Sequence, residues 1–298
     1  MSKSLRFKQL GPIAVGGVGG SGTRLVSKIL CDLGIYMGSS LNHSLDNLWF
    51  TALMKNPEWF QQFPTDRQVY RSLRLFEQAM TTGLATTVSE DDKKVIEGIS
   101  DINEKRDIAV PSRAHFDELL NSKAPNHDKF IGWGWKEPNS HVFLKQMVKY
   151  FDQLKYIHVI RNGLDMAYSP NQQQLNNWGS FFGIDQRRTN RSSASKSLDY
   201  WIAANQRAIK VGEASLKDRF LLLNYDKLCT SPDIEIQKLL QFMGITAGDN
   251  LMEMLVKLVV PAKSIGRHSV FGDEQFSAQQ IRKVRDLCEL GPLDLNRE

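Results

Sequence analysis

The sequence has few cysteines and none of the histidine patterns that hold a metal. Its 298 residues contain only three cysteines, Cys31, Cys229 and Cys288, which lie far apart and form no CxxC pair. An odd and scattered set of thiols argues against a disulfide framework and indicates a reducing compartment. The six histidines form no HxH or HExxH pattern, so the sequence predicts no metal site.

The chain also lacks long apolar runs and blocks of like charge. No run of 18 apolar residues occurs, and the first apolar segment, residues 11–15, is too short for a signal sequence. We therefore expect a cytoplasmic protein with no membrane span. The net charge of +5 fits an anionic small ligand, whereas no basic block is long enough to suggest binding to nucleic acid.

Four short apolar segments have the length and composition of buried strands. They are residues 12–16, 130–135, 154–160 and 219–224. After the first segment Leu25, Ile29 and Leu33 recur every four residues, and Gly34 ends this helical pattern. Strands that alternate with helices predict a parallel sheet covered on both faces. We therefore expect a three-layer α/β fold, with residues 1–298 in a single domain.

A long helical stretch lies between the first two predicted strands, at about residues 44–120. Within it Val69, Leu73, Phe76 and Met80 form one apolar face. We interpret the stretch as a helical insertion over the carboxyl-terminal edge of the sheet, where it would form a lid over an acceptor. Packing of this face into the core, without a lid function, explains the pattern equally well.

The strongest local signal is a glycine-rich loop, GGVGGSGTR at residues 16–24, between a strand and a helix. Glycines let the backbone turn tightly and present N–H groups to an anion, and the helix N-terminus favours negative charge. The loop satisfies GxGxxG, but no convincing strand leads to the acidic residue that a dinucleotide fold needs. It also satisfies the GxxxxG of a P-loop kinase, but Thr23 and Arg24 replace the lysine and hydroxyl residue.

A second segment, RNGLDMAYS at residues 161–169, directly follows the predicted strand at 154–160. An arginine at the carboxyl end of a strand lies on the edge where open α/β sheets bind ligands. The guanidinium of Arg161 can bind a phosphate with two hydrogen bonds, and Ser169 could add its hydroxyl. An isolated arginine would more often pair with a surface carboxylate. Because Pro170 follows, the helix that carries Ser169 must end or kink there.

Taken in order along the chain, these segments resemble the motifs of sulfotransferases that use 3′-phosphoadenosine 5′-phosphosulfate (PAPS). The Ser21-Gly22-Thr23 end of the loop is similar to the family's 5′-phosphosulfate loop, and segment 161–169 is similar to its 3′-phosphate motif. Residues 135–138 (WKEP), 222–228 (LLNYDKL) and 242–244 (FMG) resemble further family elements. The resemblance spans about residues 12–270 and implies a P-loop-like fold and sulfuryl transfer.

The resemblance also implies which residues bind the nucleotide. They are Gly19, Gly20, Ser21, Gly22, Thr23 and Arg24 in the loop, Arg161 and Ser169 in the 3′-phosphate motif, and Lys263 and Arg267 in a basic-glycine segment that closes over it. The chain departs from the family at Gly20, where a lysine or arginine usually stabilises the bridging oxygen. We hypothesise that Arg24 and Lys136 share the role of this missing cation.

The general base has no direct counterpart in the chain. Carbohydrate and tyrosylprotein sulfotransferases place a glutamate in the interval where this sequence has Asn42, His43 and Asp46. A carboxylate is the closer chemical match, whereas an imidazole has the better intrinsic pKa for removing a proton near neutrality. We therefore expect Asp46 to be the base, with His43 as the second candidate and His115 as a weaker one.

The identity of the acceptor is open at this stage. The resemblance implies a small molecule, a lipid or a carbohydrate, and a homodimer is compatible with the sequence. Two other functions are compatible with the loop. One is a protein of the same fold that binds a nucleotide without catalysis, since Gly20 replaces the usual cation, and the other is a P-loop-type kinase.

Overall fold

A computed structural model describes residues 10–185 and 191–289, and its centre is a parallel sheet of five strands. The strands are β1 (Ile13–Gly16), β2 (Ile35–Tyr36), β3 (Gly132–Lys136), β4 (Lys155–Ile160) and β5 (Phe220–Asn224). Their order in the sheet is β2-β3-β1-β4-β5. Ile35 pairs with Gly132, and Tyr156 pairs with Phe220. The predicted α/β fold with helices around a parallel sheet is therefore confirmed.

Fourteen α-helices occur within the described ranges. They are α1 (Thr23–Asp32), α2 (Leu48–Met54), α3 (Asp66–Thr81), α4 (Glu90–Lys105), α5 (Arg113–Leu120), α6 (Leu144–Tyr150), α7 (Gly163–Ala167), α8 (Gln173–Trp178), α9 (Ser193–Leu216), α10 (Tyr225–Thr230), α11 (Pro232–Met243), α12 (Asp249–Lys257), α13 (His268–Phe271) and α14 (Ala278–Glu289). Short 3-10 helices cover Pro57–Phe60, His127–Lys129, Pro138–Phe143, Ser180–Phe182 and Lys217–Arg219. Between residues 10 and 185 and from 191 to 289, no helix is long and apolar enough to cross a bilayer.

The chain divides into two compact units. Among the described residues, the first unit contains 10–14, 27–137 and 145–154, and the second contains 15–26, 138–144, 155–185 and 191–289. The assignment of the whole chain to a single domain stays a prediction.

Aromatic side chains form the centre of the first unit. The ring of Trp135 on β3 lies 5.5 Å from that of Phe50, 5.0 Å from that of Phe76 and 5.7 Å from that of Phe151. Phe50, Phe76 and Trp135 are fully buried. The predicted helical stretch is helical, and the apolar face that begins at Val69 is buried in this core. Whether the stretch also covers an acceptor stays a prediction.

The second unit packs α7 and α9 closely together. A Cβ atom at Gly163, the first residue of α7, would lie 2.7 Å from the Trp201 ring of α9. Only a residue without a side chain permits this approach. Trp201 is 1% exposed, and α9 also contacts β4 and β5. This close packing fixes the position of the short helix that begins two residues after Arg161.

Candidate functional site

The glycine-rich loop of the second unit needs its glycines for conformational reasons. Gly20 and Gly22 have φ angles of +93° and +96°, which L-residues rarely adopt. At Gly22 a Cβ atom would also lie 2.0 Å from the ring of Tyr225. Helix α1 begins directly after this turn, at Thr23. The loop is therefore a largely buried backbone turn at a helix N-terminus, with Gly20 exposed, and a helix N-terminus is a favourable site for an anion.

Hydrogen bonds from three backbone N–H groups hold this loop. Gly17 donates to the carbonyl of Pro138 at 3.2 Å, and Ser21 donates to the carbonyl of Val18 at 3.0 Å. Gly19 donates to the side-chain oxygen of Gln174 at 2.8 Å. The hydroxyl of Ser21 is buried and has no hydrogen-bond partner among the residues that the structure describes. The N–H groups of Gly17, Gly19 and Ser21 are thus engaged within the protein, whereas the Ser21 hydroxyl is not.

Arg161 is buried at the carboxyl end of β4 with incompletely satisfied donors. It is 5% exposed, donates to the Ser264 hydroxyl at 3.0 Å and donates to the carbonyl of Gly20 at 3.3 Å. Within the described ranges its Nε has no hydrogen-bond partner, and the nearest oxygens of Asp165 and Asp226 are 4.0 Å from the guanidinium. A buried guanidinium with no carboxylate at hydrogen-bond distance favours the binding of an external anion.

The two carboxylates near Arg161 are engaged by other donors. Asp165 accepts hydrogen bonds from the backbone N–H of Gly266 at 2.7 Å and of His268 at 2.9 Å, and its Oδ1 lies 2.7 Å from the His268 ring. Burial raises the pKa of Asp165, but these bonds outweigh burial and lower it overall. Asp226 accepts from the N–H of Asn162 at 2.7 Å, and burial raises the pKa of Asp226. Both carboxylates therefore order the backbone around Arg161.

The remaining predicted nucleotide-binding residues lie on less constrained segments. Helix α7 ends at Ala167, as Pro170 predicted, and the Ser169 hydroxyl accepts from the N–H of Asn171 at 3.3 Å. Arg267 donates to the carbonyl of Tyr168 at 3.2 Å. Four of the predicted cations and hydroxyls are more open to solvent than Arg161: Arg24 and Lys263 are exposed, and Ser169 and Arg267 are half-buried.

In the first unit, Lys136 and Asp46 form a direct ion pair. Lys136 is 3% exposed, and its Nζ contacts the Asp46 carboxylate and donates to the carbonyl of Ser44 at 3.0 Å. The other carboxylate oxygen of Asp46 accepts from the Asn42 amide at 2.9 Å. The Asn42 side chain in turn accepts from the backbone N–H groups of Ser44 and Asp46, both at 2.9 Å. The position of the Asp46 carboxylate beside Lys136 is therefore fixed by hydrogen bonds within the loop of residues 42–46.

The two histidine candidates have simpler surroundings. His43 is exposed, and its Nε2 lies 3.3 Å from the Ser44 hydroxyl. The Nδ1 of His115 accepts from the Ser112 backbone N–H at 3.0 Å and lies 2.8 Å from its hydroxyl. This contact caps α5, so His115 has a local structural role.

Sequence reasoning gave no role to several residues that organise the two clusters. Asp165, Ser264 and His268 join segment 161–169 to the basic-glycine segment, and Asn42 shapes the loop around Asp46. The only one of these residues that the sequence could have indicated was Asp165, because it lies four residues after Arg161 at the start of a predicted helix. The other contacts join residues that are distant in the sequence or lie within an irregular loop.

Comparison with known proteins gives the class of this protein. The sequence profile of the Sulfotransferase family matches residues 12–249 of the chain. The chain therefore belongs to the Sulfotransferase family, and the resemblance seen in its motifs is confirmed. No curated protein sequence matches the chain.

Several solved structures are similar to the chain at low sequence identity. The sulfotransferase STF9 from Mycobacterium avium is 13% identical, with 95% of this chain and 77% of that chain covered and a TM-score of 0.45. A sulfotransferase from Alicyclobacillus acidocaldarius is 10% identical, with 94% and 97% covered and a TM-score of 0.47. Mouse sulfotransferase SULT7A1, complexed with PAP, is 14% identical, with 96% and 86% covered and a TM-score of 0.42.

Proposed function

We propose that the protein transfers a sulfuryl group from PAPS to a hydroxyl or amine of a small-molecule, lipid or carbohydrate acceptor. The observation that carries this proposal is the buried guanidinium of Arg161, whose nearest carboxylate oxygens are 4.0 Å away. An anion with several oxygens would satisfy the remaining N–H donors. The family assignment makes a phosphorylated nucleotide sulfate the fitting anion.

Different residues of the second unit would bind the different charged groups of the donor. The hydroxyls and the remaining backbone N–H groups of residues 19–23 would bind the 5′-phosphosulfate, where helix α1 contributes its positive end, while the N–H groups of Gly19 and Ser21 stay bonded to Gln174 and Val18. Arg161 and Ser169 would bind the 3′-phosphate, and Lys263 and Arg267 would add charge from the basic-glycine segment. The free thiols of Cys31, Cys229 and Cys288 support a cytoplasmic setting for this chemistry.

Sulfuryl transfer needs a base for the acceptor and positive charge for the leaving group. In the reaction the acceptor oxygen attacks sulfur, the bond from sulfur to the bridging oxygen breaks, and the bisphosphate 3′-phosphoadenosine 5′-phosphate (PAP) leaves. We assign removal of the acceptor proton to Asp46, with His43 as the second candidate. Arg24 and Lys136 would share the charge that Gly20 cannot supply.

The first experiment is thermal unfolding with PAP, compared with 5′-AMP, ATP with magnesium, and NAD. A ligand at 100 times its Kd adds about 2.7 kcal/mol of stability, which raises Tm by several degrees. We expect a clear shift with PAP and none with AMP, followed by release of PAP from PAPS when an acceptor is present. A shift with ATP or NAD but none with PAP would contradict the proposal. PAP binding without turnover on any acceptor would identify a nucleotide-binding protein that lacks catalysis.

A further inference from the structure

The side-chain amide of Gln174, on α8, lies against the glycine-rich loop of the second unit. Its Oε1 accepts a hydrogen bond from the N–H of Gly19 at 2.8 Å. A Cβ atom at Gly19 would lie 3.6 Å from the Cδ atom of Gln174, which is ordinary van der Waals contact. Helix α8 is itself anchored by Trp178, which is 1% exposed and donates to the Asn139 side chain at 3.0 Å. The amide is therefore held beside the loop.

The other polar atom of this amide is an unused donor. The Nε2 atom of Gln174 is buried and has no hydrogen-bond partner in the part of the chain that the structure describes. The two amide atoms cannot be exchanged, because only the oxygen can accept from the N–H of Gly19. A buried N–H without a partner has lost its hydrogen bonds to water and gained none. A ligand oxygen that accepts from Nε2 would therefore stabilise the protein.

This donor lies next to the position where the family usually has a cation. Oε1 and Nε2 of one amide are about 2.2 Å apart, so Nε2 is within about 5 Å of the Gly19 nitrogen. Gly20 follows directly and is exposed, which leaves this side of the loop open to a ligand. The φ of +93° at Gly20 disfavours any side chain there. In this loop conformation a donor must come from another element, and α8 supplies one.

Nε2 is one of several unfilled donors around the loop. The Ser21 hydroxyl and the Nε of Arg161 are also buried without partners among the described residues. Arg161 contacts the same loop, since it donates to the carbonyl of Gly20 at 3.3 Å. These donors come from α8, from the loop and from the end of β4. Because the donor nucleotide carries two separate anionic groups, each unfilled donor can be satisfied by one of them.

From these observations we infer that Gln174 is a catalytic residue whose Nε2 donates to the oxygen that joins phosphorus to sulfur in bound PAPS. The inference rests on the proposed function, which makes PAPS the donor. When the acceptor oxygen attacks sulfur, the bond from sulfur to this oxygen breaks, and its electron pair stays on the oxygen. The N–H of Gln174 stabilises the new charge without giving up its proton, and Oε1 keeps its bond to Gly19. Gln174 thus adds a fixed donor to the charges of Arg24 and Lys136.

The contact becomes stronger during the reaction, so it should be visible in binding. In PAPS the bridging oxygen carries little charge, whereas in PAP the same oxygen belongs to a charged phosphate. Hydrogen bonds to a charged acceptor are roughly twice as strong as those to a neutral one. Loss of the Gln174 donor should therefore weaken the binding of PAP more than that of PAPS. A side chain that only held Gly19 in place would affect both equally.

The test compares two substitutions of Gln174 with the same substitutions of Gln173, the exposed neighbour on α8. Gln174→Met removes both polar atoms and adds no charge. Gln174→Glu keeps an oxygen that accepts from Gly19 and replaces the amide nitrogen. Loss of the N–H donor is the change that the two variants share. Calorimetry measures the Kd for PAP and for PAPS, and release of PAP from PAPS with water as the acceptor measures the rate.

We expect Gln174→Met to raise the Kd for PAP about tenfold and to leave the Kd for PAPS within about twofold of the wild-type value. Both Gln174 variants should release PAP about 100-fold more slowly than the wild type, as loss of a single preorganised donor does. Gln173→Met and Gln173→Glu should stay within about twofold. PAP-induced thermal stabilisation checks that each variant folds. A wild-type rate in either Gln174 variant, or equal weakening of PAP and PAPS in Gln174→Met, would overturn the inference.

The wild type separates failure of this inference from failure of the proposed function. If the wild type binds PAP and releases it from PAPS, and Gln174→Met does both equally well, only the assignment of Gln174 is wrong. If the wild type neither binds PAP nor releases it, the proposed function is wrong, and the inference is wrong with it. If water is too slow an acceptor for the rate to be measured, the two Kd values are sufficient.

Discussion

The two charged clusters of this protein differ in how completely the chain neutralises them. In the second unit the guanidinium of Arg161 has its nearest carboxylate oxygens at 4.0 Å and hydrogen-bonds to a hydroxyl and a carbonyl. In the first unit the ammonium of Lys136 is in direct contact with the carboxylate of Asp46. Both cations are at most 5% exposed. Since a buried charge without a close partner is costly, we expect an external anion to stabilise the Arg161 cluster, whereas Lys136 and Asp46 neutralise each other within the chain.

The largest effect that tests this comparison is expected for Arg161→Ala. The substitution removes a bidentate, charge-assisted contact to phosphate, so we expect the Kd for PAP to rise about 100-fold or more, equivalent to about 3 kcal/mol. Isothermal calorimetry measures this change directly. Arg282→Ala, at an exposed position of α14, is the matched control and should leave the Kd unchanged. If the two variants bind PAP equally well, the Arg161 cluster is not the donor site.

The second prediction concerns Lys136→Met and Asp46→Asn, which break the pair from either side. If the pair serves catalysis, each variant should lower kcat about 100-fold to 1,000-fold, because each removes a charge that is held in place for the transition state. The Kd for PAP should stay within about twofold of the wild-type value. Because residues that act as a unit are not additive, the double variant should be no slower than the slower single variant. Single-turnover release of PAP measures the chemical step. Additive losses, or a Kd that rises with each substitution, would contradict a shared catalytic role.

The third prediction tests the glycine-rich loop against a glycine elsewhere. An alanine at position 22 would have to adopt a φ of +96°, and its Cβ atom would lie 2.0 Å from the ring of Tyr225. The ring cannot move away easily, because the Tyr225 hydroxyl accepts a hydrogen bond from the N–H of Ala262 at 3.1 Å. We expect Gly22→Ala to lower the free energy of unfolding by about 3 kcal/mol and to weaken PAP binding. Gly98 lies inside α4 with open space around it, so Gly98→Ala should instead stabilise by about 0.5–1 kcal/mol. Urea unfolding measures the free energy of unfolding of both variants. Equal changes in this free energy would show that the conformation of the glycine-rich loop is unimportant for stability.

The sheet and the Arg161 cluster could largely be predicted because their determinants are local. Four of the five strands are short apolar runs, and the glycine-rich loop and segment 161–169 each follow a strand directly. Strand β2 was missed, because the two residues Ile35–Tyr36 are too short to show a pattern. The role of Asp165 was also missed, since its partners Gly266 and His268 are more than 100 residues away.

The Lys136–Asp46 pair shows the limit of the same reasoning. Both residues were named from the sequence, but for separate roles, and their contact joins positions 90 residues apart. The contact depends on the N–H of Asn47 donating to the carbonyl of Lys136 at 2.8 Å, and on the internal bonds of Asn42. No periodicity or spacing encodes such a loop, because its shape is set by side-chain hydrogen bonds and packing.

The smallest effect is expected when the pH is lowered. It is a loss of folding stability that arises from two buried histidines in the second unit. His158 is fully buried, its Nε2 lies 2.8 Å from the Asn205 oxygen and its Nδ1 lies 3.4 Å from the Tyr156 hydroxyl. His141 stacks on it at 6.4 Å, near the hydroxyl of Tyr200, and its carbonyl accepts from Arg207 at 3.0 Å. Burial lowers the pKa of His158 to about 4. Burial, followed by the charges of His158 and Arg207, lowers the pKa of His141 well below its usual value.

These shifts make the second unit sensitive to acid. The unfolded chain, with histidine pKa values near about 6.5, binds more protons than the folded chain as pH falls below that value. Stability that is fully present above about pH 6.5 is therefore lost progressively down to about pH 4, and His158 alone accounts for about 2 kcal/mol between pH 7.5 and 5.

Urea unfolding across this range should show the loss in the wild type and a smaller loss in His158→Gln, with His43→Gln as the exposed control. A wild-type stability that is constant from pH 7.5 to 5 would mean that the two histidines are hydrated or charged in the folded protein.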